Sequence, residues 1–129
     1  MNCIFGVGTD IIDISRIKKF LSNNKRSINR VFSTKEIKHC ESQLNRAASY
    51  SKRFAAKEAF SKSIGNGFRN DLNFKDISIV NDKLGKPYFI INKKVKKIIK
   101  KQFKTSAFNF FLSLSDEKKY AIAMVVITY

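Results

Sequence analysis

Cysteine is scarce in this 129-residue chain, occurring only at Cys3 and Cys40. Two thiols cannot build a disulfide framework or a zinc cluster, so two reduced thiols are expected. Proline occurs once, at Pro87, and glycine five times. No linker, low-complexity segment or internal repeat divides the chain, and a single domain over residues 1–129 is expected. No run of about 20 apolar residues exists, so no membrane span is expected. Residues Met1-Asn2-Cys3-Ile4-Phe5 lack a basic region, and Gly6 and Gly8 break the apolar run. No signal or transit peptide is expected, which points to the cytoplasm. Acidic residues are few, 10 against 26 Lys plus Arg, for a formal net charge of +16. A field of that sign attracts nucleic acid, anionic membrane, phosphorylated ligands or an acidic protein, without choosing among them.

What is present is a chain that can bury a core, 43% of it hydrophobic. At this length roughly two-thirds of the unfolded surface is buried on folding. Residues 3–14 are rich in β-formers and read as a strand in which the paired glycines permit close backbone approach. A helix follows, capped by Asp13 or Ser15, with Ile14, Ile17 and Leu21 on one face and Asn23-Asn24 at its end. Ser33 and Glu36 fit a capping box for a helix to about residue 43. Residues 47–64 give the strongest helical pattern, alanine-rich and closed by Gly65. A loop over 66–73 is expected next. Strands over 77–80 and 88–91 flank a turn cluster, and 92–102 reads as a lysine-rich helix with Val95, Ile98 and Ile99 inward. Residues 108–115 and 120–128 read as a closing hairpin. The fold class is α+β.

Two stretches carry candidate chemistry. On a wheel of about 100° per residue, residues 53–64 place Ala55, Ala56, Ala59, Phe60 and Ile64 on one half. Arg53, Lys57, Glu58, Ser61 and Lys62 fall on a polar half, which in an arbitrary helix is only a solvated face. The alanines permit close packing, and the helix runs into Gly65-Asn66-Gly67, whose backbone N–H groups can face an anion. In Gly6-Val7-Gly8-Thr9-Asp10, an aspartate beside glycines at the end of an apolar strand either presents a carboxylate rigidly or caps the next element. If Asp10 and Glu58 converge, they repel and need a cation between them. Magnesium fits: it takes one or two carboxylates and completes its shell with water and phosphate oxygens. No Walker-type loop is present, and Gly6-Val7-Gly8 lacks the third glycine and following helix of a dinucleotide site.

Gly6-Val7-Gly8-Thr9-Asp10-Ile11-Ile12-Asp13-Ile14-Ser15-Arg16-Ile17 resembles the N-terminal motif of the holo-acyl-carrier-protein synthases, the single-domain bacterial type of 4′-phosphopantetheinyl transferase. Arg53-Phe54-Ala55-Ala56-Lys57-Glu58-Ala59 is similar to their central signature, and Gly65-Asn66-Gly67 to the turn after it. Asp82-Lys83-Leu84-Gly85-Lys86-Pro87 resembles a later Asp-x-x-Gly-Lys-Pro segment. Ser113-Leu114-Ser115-Asp116 and Tyr120-Ala121-Ile122-Ala123 resemble the C-terminal hairpin. Five motifs in order cover nearly the whole chain.

The resemblance implies the 4′-phosphopantetheinyl transferase fold, an antiparallel sheet packed on a long central helix, assembled as a homotrimer with interfacial active sites. It implies transfer of 4′-phosphopantetheine from coenzyme A to a serine of an acidic apo-acyl carrier protein, giving adenosine 3′,5′-bisphosphate, in support of fatty acid biosynthesis. Asp10 and Glu58 take the places of magnesium ligands, and Lys62 stabilises charge on the phosphates. Arg53, Lys57, Lys62, Gly65, Asn66, Gly67 and Pro87 fall on positions lining the coenzyme A site, and Arg16 on one that docks the carrier protein. The general base is Glu58, Asp10 or a metal-bound water. Asn66 stands where relatives often have Thr, and Asp116 where many carry His; Arg46 receives no role. The competing reading is a basic nucleic-acid-binding module without enzymatic activity, supported by the lysine run over 93–104. That run alternates with Val95, Ile98 and Ile99, as an amphipathic helix does, and no nucleic-acid partner is expected.

Overall fold

The computed structural model describes residues 3–23, 25–65 and 72–129. β1 (Ile4–Asp13) runs directly into α1 (Ile14–Asn23), followed by α2 (Lys25–Val31), α3 (Thr34–Glu41) and the long α4 (Arg46–Ile64). A 3-10 turn (Phe74–Asp76) leads into β2 (Ile77–Asn81), which pairs with β3 (Pro87–Ile91); α5 (Lys93–Phe103), β4 (Asn109–Asp116) and β5 (Tyr120–Thr128) follow. β5 lies at the centre of an antiparallel sheet ordered β1-β5-β4, and β2-β3 is a separate antiparallel hairpin. The expected α+β class and the antiparallel sheet on a central helix are both present.

Alternation decides the layering. Ala121, Ala123, Val125 and Ile127 of β5 are buried on one face of the sheet. α4 packs there, with Ala55, Ala56 and Ala59 fully enclosed. Small side chains on both surfaces let helix and sheet approach closely. β1 goes further. A methyl group on Gly8 would sit 1.8 Å from the Ala59 carbonyl oxygen, and one on Gly6 would sit 1.9 Å from that of Ser63. The glycines are present because α4 rests on the bare backbone of β1. On the opposite face of the sheet, Val7, Ile11, Phe111, Ile122 and Met124 are exposed, between 44% and 61% of each. Register places Val126 between Val7 and Phe111, and Ile122 beside Ile11, so this is one continuous apolar surface.

The helix ends form as the sequence indicates. Asp13 Oδ1 accepts from the Ser15 N–H at 2.8 Å, and the Ser33–Glu36 capping box is complete. Asn45 caps α4 through Ala48 N–H, and Gly65 closes it in the left-handed region at φ 84°. Two expectations need correction. No helix was anticipated over α2, whose Ser27 and Asn29 are weak helix formers; it is held by tertiary burial of Ile28 and, just beyond it, Phe32. The polar half of α4 is not a wet half: Arg53, Lys57 and Ser61 are buried. α3 and β2 cover that side, which the helix alone cannot reveal.

Candidate active site

Asp10 points from the α4 side of β1, in line with Gly6 and Gly8. Glu58 and Lys62 lie one helical turn apart, so their side chains share a face of α4. Because α4 rests on the glycines, that face meets Asp10. Lys62 Nζ donates to the Thr9 carbonyl at 2.9 Å and pairs with Asp10 Oδ1 at 3.1 Å. Glu58 is half-buried; burial first, and then the Asp10 charge, push its carboxyl above the usual range, with Lys62 partly offsetting them. The two carboxylates therefore feel each other, as they must to share an ion.

One ammonium among two carboxylates leaves a net negative site. The Lys62 side chain is 52% exposed, and an ion pair so open to water contributes at most about 1 kcal/mol. It is easily rearranged when a ligand arrives. Among the described residues no cluster of three or more His, Cys, Asp or Glu exists. A donor set of two carboxylates suits a hard divalent cation that keeps its waters and takes phosphate oxygens, and does not suit a closed all-protein cage.

The remaining predicted residues separate. Lys57 is a correction. It is fully enclosed, its Nζ pairs with Glu36 Oε1 at 2.7 Å, and it donates to the carbonyls of Val31, Phe74 and Ile77 at 2.9, 2.8 and 2.7 Å. Its protons are spent within the protein, so it does not line a phosphate site. Arg53 lies five residues before Glu58, roughly 140° around the helix, and does not join the Asp10 cluster. Its guanidinium donates to Asn81 Oδ1 at 2.6 Å, and its buried Nε has no hydrogen-bond partner among the described residues. Arg53 instead lines a cleft of about 400 Å³ with His39, Ser49, Lys52, Asn81 and Asp116. Burial first, and then the charges of Arg53 and Lys52, hold the His39 imidazole below its usual range. With two cations, Arg53 and Lys52, against the one carboxylate of Asp116 in its lining, the cleft suits an anion. Asp116 pairs with Lys52 at 3.1 Å.

Asn81 also holds the β2-β3 turn through the Gly85 carbonyl at 2.8 Å, while Asp82 Oδ1 accepts from the Leu84 and Lys86 N–H groups. Pro87 opens β3 opposite Asn81. Gly65 terminates α4 as described, and Asn66 and Gly67 lie outside the described residues. Arg16 is exposed on α1, away from buried Ile14, Ile17 and Leu21. Sequence reasoning missed the cleft residues His39 and Lys52 and the role of Asn81. Only Asn81 left a signal, standing immediately before the Asp-x-x-Gly-Lys-Pro run.

Comparison with known proteins agrees with this architecture. The family model described as the 4′-phosphopantetheinyl transferase superfamily matches residues 6–125. A holo-[acyl-carrier-protein] synthase of Pelagibacter ubique is 59% identical over 124 residues, covering 96% of each chain. The crystal structure of the Neisseria meningitidis holo-[acyl-carrier-protein] synthase superposes with a TM-score of 0.85 at 33% identity, over 97% of this chain and 98% of that one. That of Bacillus anthracis, in complex with CoA (3′,5′-ADP), gives 0.78 at 31% identity, over 97% and 96%. With its glycine-seated helix and its paired carboxylates, this chain belongs to the 4′-phosphopantetheinyl transferase superfamily as a holo-[acyl-carrier-protein] synthase.

Proposed function

We propose that the chain transfers 4′-phosphopantetheine from coenzyme A to a serine of an acidic apo-acyl carrier protein, in support of fatty acid biosynthesis, and that Asp10, Glu58 and Lys62 carry the step. The observation that supports this most is the convergence of two carboxylates and a lysine at the seat of α4 on β1. The serine oxygen bonds to the β-phosphorus of the diphosphate, the bond from that phosphorus to the adenosine half breaks, and adenosine 3′,5′-bisphosphate leaves. Asp10 and Glu58 would hold a magnesium ion, which when bound neutralises charge on the diphosphate oxygens. Lys62 swings from Asp10 to stabilise the same oxygens. The serine proton passes to Glu58, to Asp10 or to water.

Arg53, with Lys52 and His39, forms the anion-favouring cleft, and the turn ending at Pro87 borders it through Asn81. In one chain the cleft and the carboxylate pair face different sides of α4. Their separation and the exposed apolar sheet face support a homotrimer in which one chain's cleft meets another chain's carboxylates. Exposed Arg16 on α1 steers the acidic carrier, an attraction that weakens as salt rises. The function is tested by mass spectrometry of apo-acyl carrier protein incubated with the enzyme, coenzyme A and magnesium. A gain of one phosphopantetheine arm, with release of adenosine 3′,5′-bisphosphate, is expected; an unmodified carrier at high enzyme overturns the reading. Assembly is tested separately. Ile11→Lys, placed in the apolar face, is expected to shift the sedimenting species from trimer to monomer and to abolish transfer. A monomeric parent with full activity removes the trimer.

A further inference from the structure

Lys57 is one of the least exposed ionisable groups of the molecule, and the transfer reaction described above gives it nothing to do. Its ammonium is held from four places: the Val31 carbonyl at the end of α2, the Phe74 carbonyl of the 3-10 turn, the Ile77 carbonyl at the start of β2, and the Glu36 carboxylate of α3. Glu36 is equally committed. Beyond Lys57 it accepts the Ser33 N–H at 2.9 Å and, through Oε2, the Ile79 N–H of β2 at 3.1 Å. One ion pair thus ties α2, α3, the 3-10 turn and β2 to α4. The tie lies about 100° around the helix from Glu58. On another side α4 rests on the glycines of β1. Two fixed attachments on different sides of a helix prevent it from rolling or sliding.

We infer that Lys57 and Glu36 are positioning residues: their buried pair fixes the rotation of α4 and thereby the placement of Glu58 and Lys62 against Asp10. A buried ion pair is a weak source of stability, since apolar side chains of similar volume often replace it without loss. Its directional bonds to three carbonyls are what apolar side chains cannot reproduce. A lysine inside the central signature is thus spent on geometry, and the inference rests on the site assigned under the proposed function.

The test is the double variant Lys57→Met/Glu36→Leu, which removes both charges together. It is expected to fold but to melt below the parent, because three carbonyls and two N–H groups lose their side-chain partners. Its KM for coenzyme A, and the Kd for coenzyme A with magnesium measured by calorimetry, should both rise on the order of tenfold, as expected for a site loosened by a fraction of an ångström. Loss of folded enzyme lowers apparent kcat and cannot raise KM. A double variant with the parent's KM and Kd overturns the inference whatever its melting temperature, and a lowered melting temperature beside them makes the pair a stabilising element only. If the double variant does not fold, Glu36→Gln, which keeps the lysine's carbonyl bonds, is measured in its place; a raised Kd supports the inference and a parental Kd overturns it. A parent that binds coenzyme A but transfers nothing refutes the proposed function instead.

Discussion

Glu58→Gln is expected to abolish most of the transfer activity while leaving the protein at least as stable as the parent. The two effects have one cause. In the folded protein burial and the Asp10 charge disfavour the ionised carboxylate. A carboxyl raised in this way opposes folding once ionised, and the opposition is relieved as pH falls through the raised value. Glutamine fills the same space without the charge, so the melting temperature should hold or rise slightly. The chemistry needs the charge. Removing one preorganised electrostatic group from a transition state costs on the order of 10²–10³ in rate, and Asp10→Asn is expected to fall in the same range. Measured on apo-acyl carrier protein with magnesium limiting, parental rates for both variants would remove the carboxylate pair from the mechanism. The same reasoning sets the pH profile. Transfer needs the ionised form of Glu58, so its acid limb should lie above 4.5, the ordinary value for glutamate. Added magnesium should move that limb downward, because a cation favours the ionised form.

What could be read from the sequence follows how far apart the interacting residues stand along the chain. Local rules placed β1, the Ser33–Glu36 box, the Gly65 stop on α4 and the closing hairpin, because each is written within a few residues. Motif resemblance reached further and named Asp10, Glu58 and Lys62, which meet across some fifty positions. The failures are all long-range. Lys57 was expected to line the coenzyme A site because nothing near it shows that Glu36, 21 positions away, and three carbonyls enclose it. α2 went unread because a helix of 7 residues has too few turns to show a period, and its stability comes from what it packs on. Net charge was the least informative quantity. The exposed lysines of α5 and the buried Lys57 count equally toward it and do unrelated things.

Gly8→Ala should be the most damaging single methyl group that can be added to β1. The new carbon would lie 1.8 Å from the Ala59 carbonyl oxygen and 2.8 Å from both the Ala59 carbonyl carbon and the Ser63 nitrogen. These are backbone atoms of a helix interior, and no rotamer change relieves the overlap. Carbon and oxygen settle near 3.3 Å, so α4 must retreat by roughly 1.5 Å along its seat. Retreat separates Ala55 and Ala59 from Ala121 and Ala123, and a gap of even 0.5–1 Å forfeits about a quarter to a half of each dispersion contact. Overpacking of this kind costs about 1–3 kcal/mol or more. The effect on function is larger. Asp10 is anchored in β1 by its pairing opposite Ala123, whereas Glu58 and Lys62 travel with the helix. Misplacement of reacting groups by about 1 Å costs around 10²-fold, so the folded fraction that remains should transfer the arm some hundredfold more slowly, with weaker coenzyme A binding. A Gly8→Ala protein that melts and turns over like the parent would mean that helix and strand do not touch here. The carboxylate pair, whose spacing depends on that contact, would then lose its physical basis.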